Sequence, residues 1–258
     1  MSYISYIREQ LFPAGCGGCG EVLLSPTDAW FSLCEDCRAY LSQAIVTEKP
    51  CEICGRPLIL EKETCVSCRQ GNEEVNSSPN SNERPVKVKA IFPYTGKFRE
   101  ILGSYKFGKS VTLGNFFVQV LVSAINGFVV EIAGSTNREV LEKAAWVPVP
   151  PRPGKKKSLG WDQIDYLAGI LKKEYKRSVN KLPVNLCLKR LPSRSQKELN
   201  REGRRHNLKR RILCTKTPPQ TAILFDDVIT TGATLKACAE ALFEGGAARV
   251  YAICLFYD

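Results

Sequence analysis

Apolar positions along this 258-residue chain follow two different patterns, one before and one after a polar stretch at residues 70–86. After that stretch, compact apolar runs at 86–94, 144–149, 184–188, 222–225 and 249–256 have the length and the β-branched or aromatic content of buried strands. Between them, apolar residues recur at helical spacing over 98–105 and 111–130. They do so again over 161–173, where Ile164, Leu167, Ala168 and Leu171 share one face, and from Leu235 through Cys238, Ala239 and Leu242. Alternation of strand and helix predicts an α/β domain over 87–258, with a mostly parallel sheet flanked by helices. Before the polar stretch the apolar residues are sparse and cysteines replace them, so residues 1–69 read as a small separate module. Ile4, Ile7 and Leu11 suggest a short docking helix at its start. Residues 70–86, rich in Asn, Ser and Glu, read as a mobile linker.

The strand at 222–225 runs into the most informative stretch, Ala222-Ile-Leu-Phe-Asp-Asp-Val-Ile-Thr-Thr-Gly-Ala-Thr-Leu235. Four apolar residues, two carboxylates and a loop of small and hydroxylated residues opening a helix make a strand-loop-helix unit. Gly232 lets the backbone approach a ligand, Thr230, Thr231 and Thr234 offer hydroxyls, and the free amides and dipole at the helix start, beside Ala233, favour an anion. Asp226 and Asp227 are poorly placed to hold phosphate and well placed for the vicinal hydroxyls of an attached sugar. A phosphorylated ribose fits this combination.

Eight of the 12 cysteines form four C-x-x-C pairs: Cys16 with Cys19, Cys34 with Cys37, Cys51 with Cys54 and Cys65 with Cys68. Two thiolates at that spacing grip one side of a tetrahedral ion, and Gly20 and Gly55 suit the tight turn that follows. The simplest arrangement uses neighbouring pairs, one zinc on Cys16, Cys19, Cys34 and Cys37 and a second on Cys51, Cys54, Cys65 and Cys68; the spacing also permits interleaving. Four-cysteine sites are structural, so these zincs are expected to fold a module too small for a core of its own. The repeated knuckle spacing, without an export signal, favours metal in a reducing compartment over disulfides. Thioredoxin-like chemistry lacks its βαβ context. Cys187, Cys214, Cys238 and Cys254 have no pair spacing and read as ordinary buried residues.

Charge sharpens the division. The net charge is +11, but residues 1–90 carry 9 Lys/Arg against 12 Asp/Glu, and residues 150–216 carry 20 against 5. A basic sheet domain fits a polyanionic partner, either a diphosphate-bearing small molecule or a nucleic-acid backbone. Two segments concentrate the cations. Pro150, Pro151 and Arg152 follow a predicted strand and lead into Lys155, Lys156 and Lys157, where open α/β sheets take ligands. Residues 189–213 are strongly basic and poor in apolar residues, as expected of a loop closing over substrate. His206, in that segment, reads as a surface residue. The longest apolar stretch, 116–130, is interrupted by Gln119, Ser123 and Asn126, so no membrane insertion is expected and the protein is expected in the cytoplasm.

Asp226-Asp227 followed by Thr230-Thr231-Gly232-Ala233-Thr234 resembles the phosphoribosyl pyrophosphate motif of type I phosphoribosyltransferases. Over nearly its whole length the chain resembles the ComF family, competence-associated bacterial proteins that join a zinc module to a phosphoribosyltransferase-like domain. The resemblance is carried by the cysteine pairs, Tyr94 with Lys106-Phe107-Gly108, the strand end Val147-Pro148-Val149-Pro150, Gly160-Trp161-Asp162-Gln163, then Gln196, Leu199, Arg204 and Asn207, and the acidic pair with its loop. Where the family pattern shows Arg-Gly-Phe-Asn-Gln, this chain has Leu159-Gly160-Trp161-Asp162-Gln163, with Lys155, Lys156 and Lys157 near enough in sequence to compensate.

The resemblance implies a type I phosphoribosyltransferase-like sheet and a double zinc ribbon. It also implies phosphoribosyl pyrophosphate, or another sugar phosphate, bound with Mg²⁺ at residues 226–234. Pro150, Pro151 and Arg152 would support pyrophosphate, and Gln196, Arg204 and Asn207 would lie on a flexible basic loop. It further implies a link to uptake of single-stranded DNA and to competence machinery proteins. Two functions follow from different classes. One is pentosyl transfer to an unspecified acceptor, in which positioning and electrostatics carry the reaction and no general base is conspicuous. The other is a non-catalytic single-stranded DNA-binding protein on the same fold.

Overall fold

The computed structural model describes residues 14–43, 51, 58, 63–66, 69, 86–107, 110–133, 143–177, 182–192 and 211–258. The docking helix expected near the start, the linker, Cys54, Cys68, Gln196, Leu199, Arg204, His206 and Asn207 lie outside these residues.

Four strands form one parallel sheet: β1 (Lys87–Pro93), β2 (Ala144–Pro148), β5 (Thr221–Ile229) and β6 (Arg249–Tyr257), in the spatial order β1-β6-β5-β2. A separate antiparallel ribbon pairs β3 (Leu188–Arg190) with β4 (Ile212–Cys214). The apolar runs are continuous because both faces of the sheet are covered. Ile223 and Phe225 of β5, and Ile253 and Leu255 of β6, belong to the core on one face. Ala222 and Leu224, with Val250, Ala252 and Cys254, belong to the core on the other.

The first face is covered by α3 (Gly96–Lys106), α4 (Leu113–Ala133) and α6 (Gln163–Arg177), and the second by α7 (Ala233–Glu244) and the β3-β4 ribbon. Two short helices precede β1 in the cysteine segment, α1 (Pro26–Phe31) and α2 (Glu35–Gln43). Ser25 caps α1 by accepting the Asp28 amide at 3.0 Å, with Pro26 in the first turn where a missing N–H costs nothing. Leu33, Leu41, Cys16 and Cys37 join the same core as Phe92, Ile101 and Leu102, so this segment packs onto the first face of the sheet without a core of its own. Cys51, Leu58 and Cys65 join the core on the opposite face.

Two predicted elements differ. The strand expected at 184–188 is a single parallel bridge from Val184 to Trp146, followed by β3 at Leu188–Arg190, because the chain leaves the sheet edge to pair with β4. The lysine triplet expected in a loop instead opens the short helix α5 (Lys155–Leu159), entered and left through Gly154 and Gly160. No helix among the described residues is long and apolar enough to cross a membrane.

Candidate functional site

Parallel strands point their carboxyl ends the same way, so the segments after β2 and β5 meet at one edge of the sheet. The amide of Val149 donates to the Phe225 carbonyl at 3.1 Å, which holds the start of the 150–154 loop beside Asp226 and Asp227. The loop after β5 turns through Gly232 at φ +71, a left-handed conformation that a side chain would strain, and α7 begins at Ala233. Thr230 and Thr231 are exposed, and the first-turn amides of α7 have no intrahelical acceptors. The sequence-predicted residues 150–152 and 226–234 are thus brought together.

The two aspartates stand in different surroundings. One oxygen of Asp227, Oδ2, accepts the Gln163 side-chain amide at 2.5 Å and lies 3.2 Å from the Lys106 ammonium. Burial, reinforced by the Asp227 charge, pushes the Asp226 carboxyl up to about 8. Its Oδ1 accepts the backbone amide of Asp227 at 2.8 Å.

The network extends through the start of α6. Asp162 caps that helix by accepting the amides of Ile164 and Asp165 at 2.9 and 3.0 Å. Lys155 donates to Asp162 at 2.7 Å and to the Gln163 side-chain carbonyl at 2.6 Å. The buried Tyr105 hydroxyl donates to the Gln163 backbone carbonyl at 2.8 Å. Asp162 therefore serves as helix cap and as partner for Lys155, and Lys155 is engaged in the network rather than free for a ligand.

On the outer side of the 150–154 loop is a cleft of about 270 Å³, lined by Arg152, Lys156, Lys189 and Arg190 among others. Burial and the nearby Arg152 charge hold the Arg190 guanidinium below its usual range. Sequence reasoning had Lys106 and Gln163 only as parts of a resemblance, and took Arg190 only as one cation of the basic 189–213 segment expected to be a loop, whereas it ends strand β3. Its place depends on the β3-β4 register, which a strand of three residues does not announce.

A second centre is built by cysteines. The sulfurs of Cys16, Cys19, Cys34 and Cys37 all lie within 4.8 Å of one another. Cys34 is 3.8 Å from Cys16 and 3.7 Å from Cys19, close to the roughly 3.8 Å edge of a tetrahedron with ~2.3 Å zinc–sulfur bonds. Amides of Gly18 and Cys34 donate to Cys16 Sγ at 3.4 and 3.3 Å, the pattern of a knuckle turn. Burial pushes the Cys16 thiol up, but hydrogen bonds from Cys34, Gly18 and Cys19 outweigh it and bring it down to about 7. The donor set fits a structural zinc, and neighbouring pairs share it. Of the second set, Cys51 and Cys65 are buried and the Cys65 amide donates to Cys51 Sγ at 3.3 Å.

Comparison with known proteins agrees with this geometry. A family model described as a double zinc ribbon domain matches residues 7–69. The chain is 25% identical over 230 residues to competence protein ComFC of Bacillus subtilis (strain 168), covering 88% of this chain and 82% of that protein. A match of that length reaches into both the cysteine segment and the parallel sheet, so the chain is similar to that competence protein across both.

Proposed function

We propose that this protein binds phosphoribosyl pyrophosphate with Mg²⁺ at the carboxyl edge of its sheet and serves DNA uptake in natural transformation. The observation that carries the reading is the convergence of the Asp226-Asp227 pair, the hydroxyl loop at the start of α7 and the 150–154 loop on one edge of a parallel sheet. Amides and hydroxyls at 230–234 suit the 5-phosphate, the aspartates suit the ribose hydroxyls, and the backbone after Pro150 supports the diphosphate. Carboxylate oxygens are hard donors of the kind Mg²⁺ takes. No third acidic side chain joins the pair among the described residues, so the diphosphate itself supplies further oxygens. Bound there, the ion neutralises charge on the diphosphate. The link to transformation rests on similarity to a protein named for competence.

Calorimetric titration of zinc-loaded protein with phosphoribosyl pyrophosphate and Mg²⁺ tests the reading. Binding by the native chain and loss of it in Asp226→Ala/Asp227→Ala is expected; absence of heat with correctly folded native protein overturns it.

The cations lining the 150–156 and 188–190 cleft favour a second reading, in which single-stranded DNA is the ligand on a repurposed fold. That reading requires affinity that falls steeply with salt and survives loss of both aspartates.

A further inference from the structure

Gln163 is the side chain through which the segment after β2 reaches the acidic pair. Its side-chain carbonyl accepts the Lys155 ammonium at 2.6 Å, and its amide donates to Asp227 Oδ2 at 2.5 Å. The two neighbours dictate which end faces which. Turned over, the side chain would set N–H against an ammonium and oxygen against a carboxylate, and both contacts would repel. Its backbone is held as firmly: the buried Tyr105 hydroxyl donates to the Gln163 carbonyl at 2.8 Å, Asp162 caps the first turn of α6, and Gln163 itself is only 7% exposed.

Asp227 is left with one open oxygen. Oδ2 is taken twice, by the Gln163 amide and by the Lys106 ammonium at 3.2 Å, whereas Oδ1 accepts no hydrogen bond among the described residues. Part of the side chain, 12%, is exposed, and Oδ1 is not a buried atom sealed without a partner, so it is the atom open to a ligand. The two donors on Oδ2 are not equivalent. An ammonium is a point charge with rotating donors on a flexible stem and follows a carboxylate that turns; a planar amide clamped at its far end by Lys155 does not. A carboxylate held in one rotamer presents its free oxygen in one direction, with no ordering cost left to meet when a ligand arrives.

We propose that Gln163 is the positioning residue of this site: locked by Lys155, it fixes Asp227 so that Oδ1 reads the vicinal hydroxyls of a bound sugar, which makes the site selective for ribose 5-phosphates over their 2-deoxy counterparts. One carboxylate oxygen has lone pairs for both hydroxyls of a vicinal pair, and the 2-deoxy sugar, the unit of DNA, lacks that pair. The choice of sugar hydroxyls as the groups read by Oδ1 rests on the proposed sugar-phosphate function; the orientation of Asp227 by Gln163 does not.

The test uses the full-length, zinc-loaded chain in two arms. In the first, without ligand, hydrogen exchange of the Gln163 side-chain amide is followed by NMR, its resonances assigned with Gln163→Met. Asp227→Ala and Lys155→Met each remove one end of the clamp, and Lys155, a quarter exposed, can be replaced without disturbing the core. Both variants are expected to exchange about 10-fold faster than the native chain, and unchanged exchange in either overturns the clamp. In the second arm, calorimetry compares ribose 5-phosphate, 2-deoxyribose 5-phosphate and inorganic phosphate. The native chain is expected to prefer the ribose compound about 10-fold, as the loss of one hydrogen bond to a charged acceptor implies, and Gln163→Met to cut the preference to about 2-fold while leaving affinity for inorganic phosphate unchanged. Lys155→Met is expected to cut the preference in part and to add nothing in the Gln163→Met background. A retained preference in Gln163→Met overturns the positioning role, and so does an equal loss of all three ligands, which marks Gln163 as a merely structural residue. A further loss from Lys155→Met in the double variant overturns action through Gln163. If the native chain binds neither sugar phosphate, the sugar-phosphate reading and the selectivity fail together, and the first arm still decides whether Gln163 orients Asp227.

Discussion

Lys106 and Gln163 converge on a single oxygen of Asp227, the ammonium at 3.2 Å and the amide at 2.5 Å. Asp226, the adjacent residue in the chain, is instead held up to about 8 by burial and by the Asp227 charge. Two carboxylates that look equivalent in sequence thus stand in different surroundings: Asp227 meets an ammonium and an amide, while burial favours the protonated form of Asp226. A ligand bringing a cation to this edge would lower the cost of ionising Asp226.

The raised Asp226 value fixes the sign of a pH dependence. A carboxyl whose folded value lies above the ordinary aspartate value of 3.8 costs stability as pH rises from about 4 to about 8, because the unfolded chain ionises freely and the folded one does not. Asp226→Asn is therefore expected to match the native chain in thermal stability near pH 4 and to exceed it by roughly 5 kcal/mol at pH 8. Melting curves across that range check it, and a difference independent of pH would exclude Asp226 as the origin.

The Lys106–Asp227 pair is partly shielded, with side-chain exposures of 27% and 12%, so its contribution falls between those of surface and buried pairs. A double-mutant cycle with Lys106→Met and Asp227→Asn, read by urea denaturation, is expected to give a coupling of about 1 kcal/mol. Additive single effects would mean that Gln163 alone orients Asp227.

Sequence pattern conveyed the sheet well because its strands are buried on both faces and read as continuous apolar runs, as at 222–225 and 249–256. It conveyed the acidic pair and its loop because one continuous stretch carries them. The Lys155–Asp162–Gln163–Asp227–Lys106 network was not legible, since its members come from three segments and depend on where α3 ends and α6 begins. The packing of the cysteine segment onto the sheet was equally hidden. Leu33 and Leu41 show no periodicity of their own, and only their place in the same core as Ile101 and Leu102 of α3 reveals their purpose.

Gly232 adopts φ +71 at the turn into α7, and a Cβ there would come 3.7 Å from Ile229 Cδ1, an ordinary contact. The penalty of a side chain is thus conformational, not steric crowding. Gly232→Ala is expected to destabilise the chain by about 1 kcal/mol. It should weaken phosphoribosyl pyrophosphate binding by more than its effect on stability, because the same turn aims the first amides of α7. Titration of the variant below its melting range separates the two effects.

Asp162 departs from the asparagine of the family pattern, and its surroundings say what the carboxylate adds. Capping requires only an acceptor, which an asparagine side chain also supplies to the amides of Ile164 and Asp165. What asparagine cannot supply is charge for Lys155, which lies 2.7 Å away with 25% of its side chain exposed. Asp162→Asn is therefore expected to keep α6 intact, to cost about 1 kcal/mol through the lost ion pair, and to leave Lys155 with an uncompensated charge next to the 150–154 loop. That charge should strengthen binding of inorganic pyrophosphate several-fold at low salt, an effect that Lys155→Met in the same background abolishes. Weaker pyrophosphate binding in Asp162→Asn would instead mean that the carboxylate holds Lys155 and Gln163 in the arrangement the anion requires.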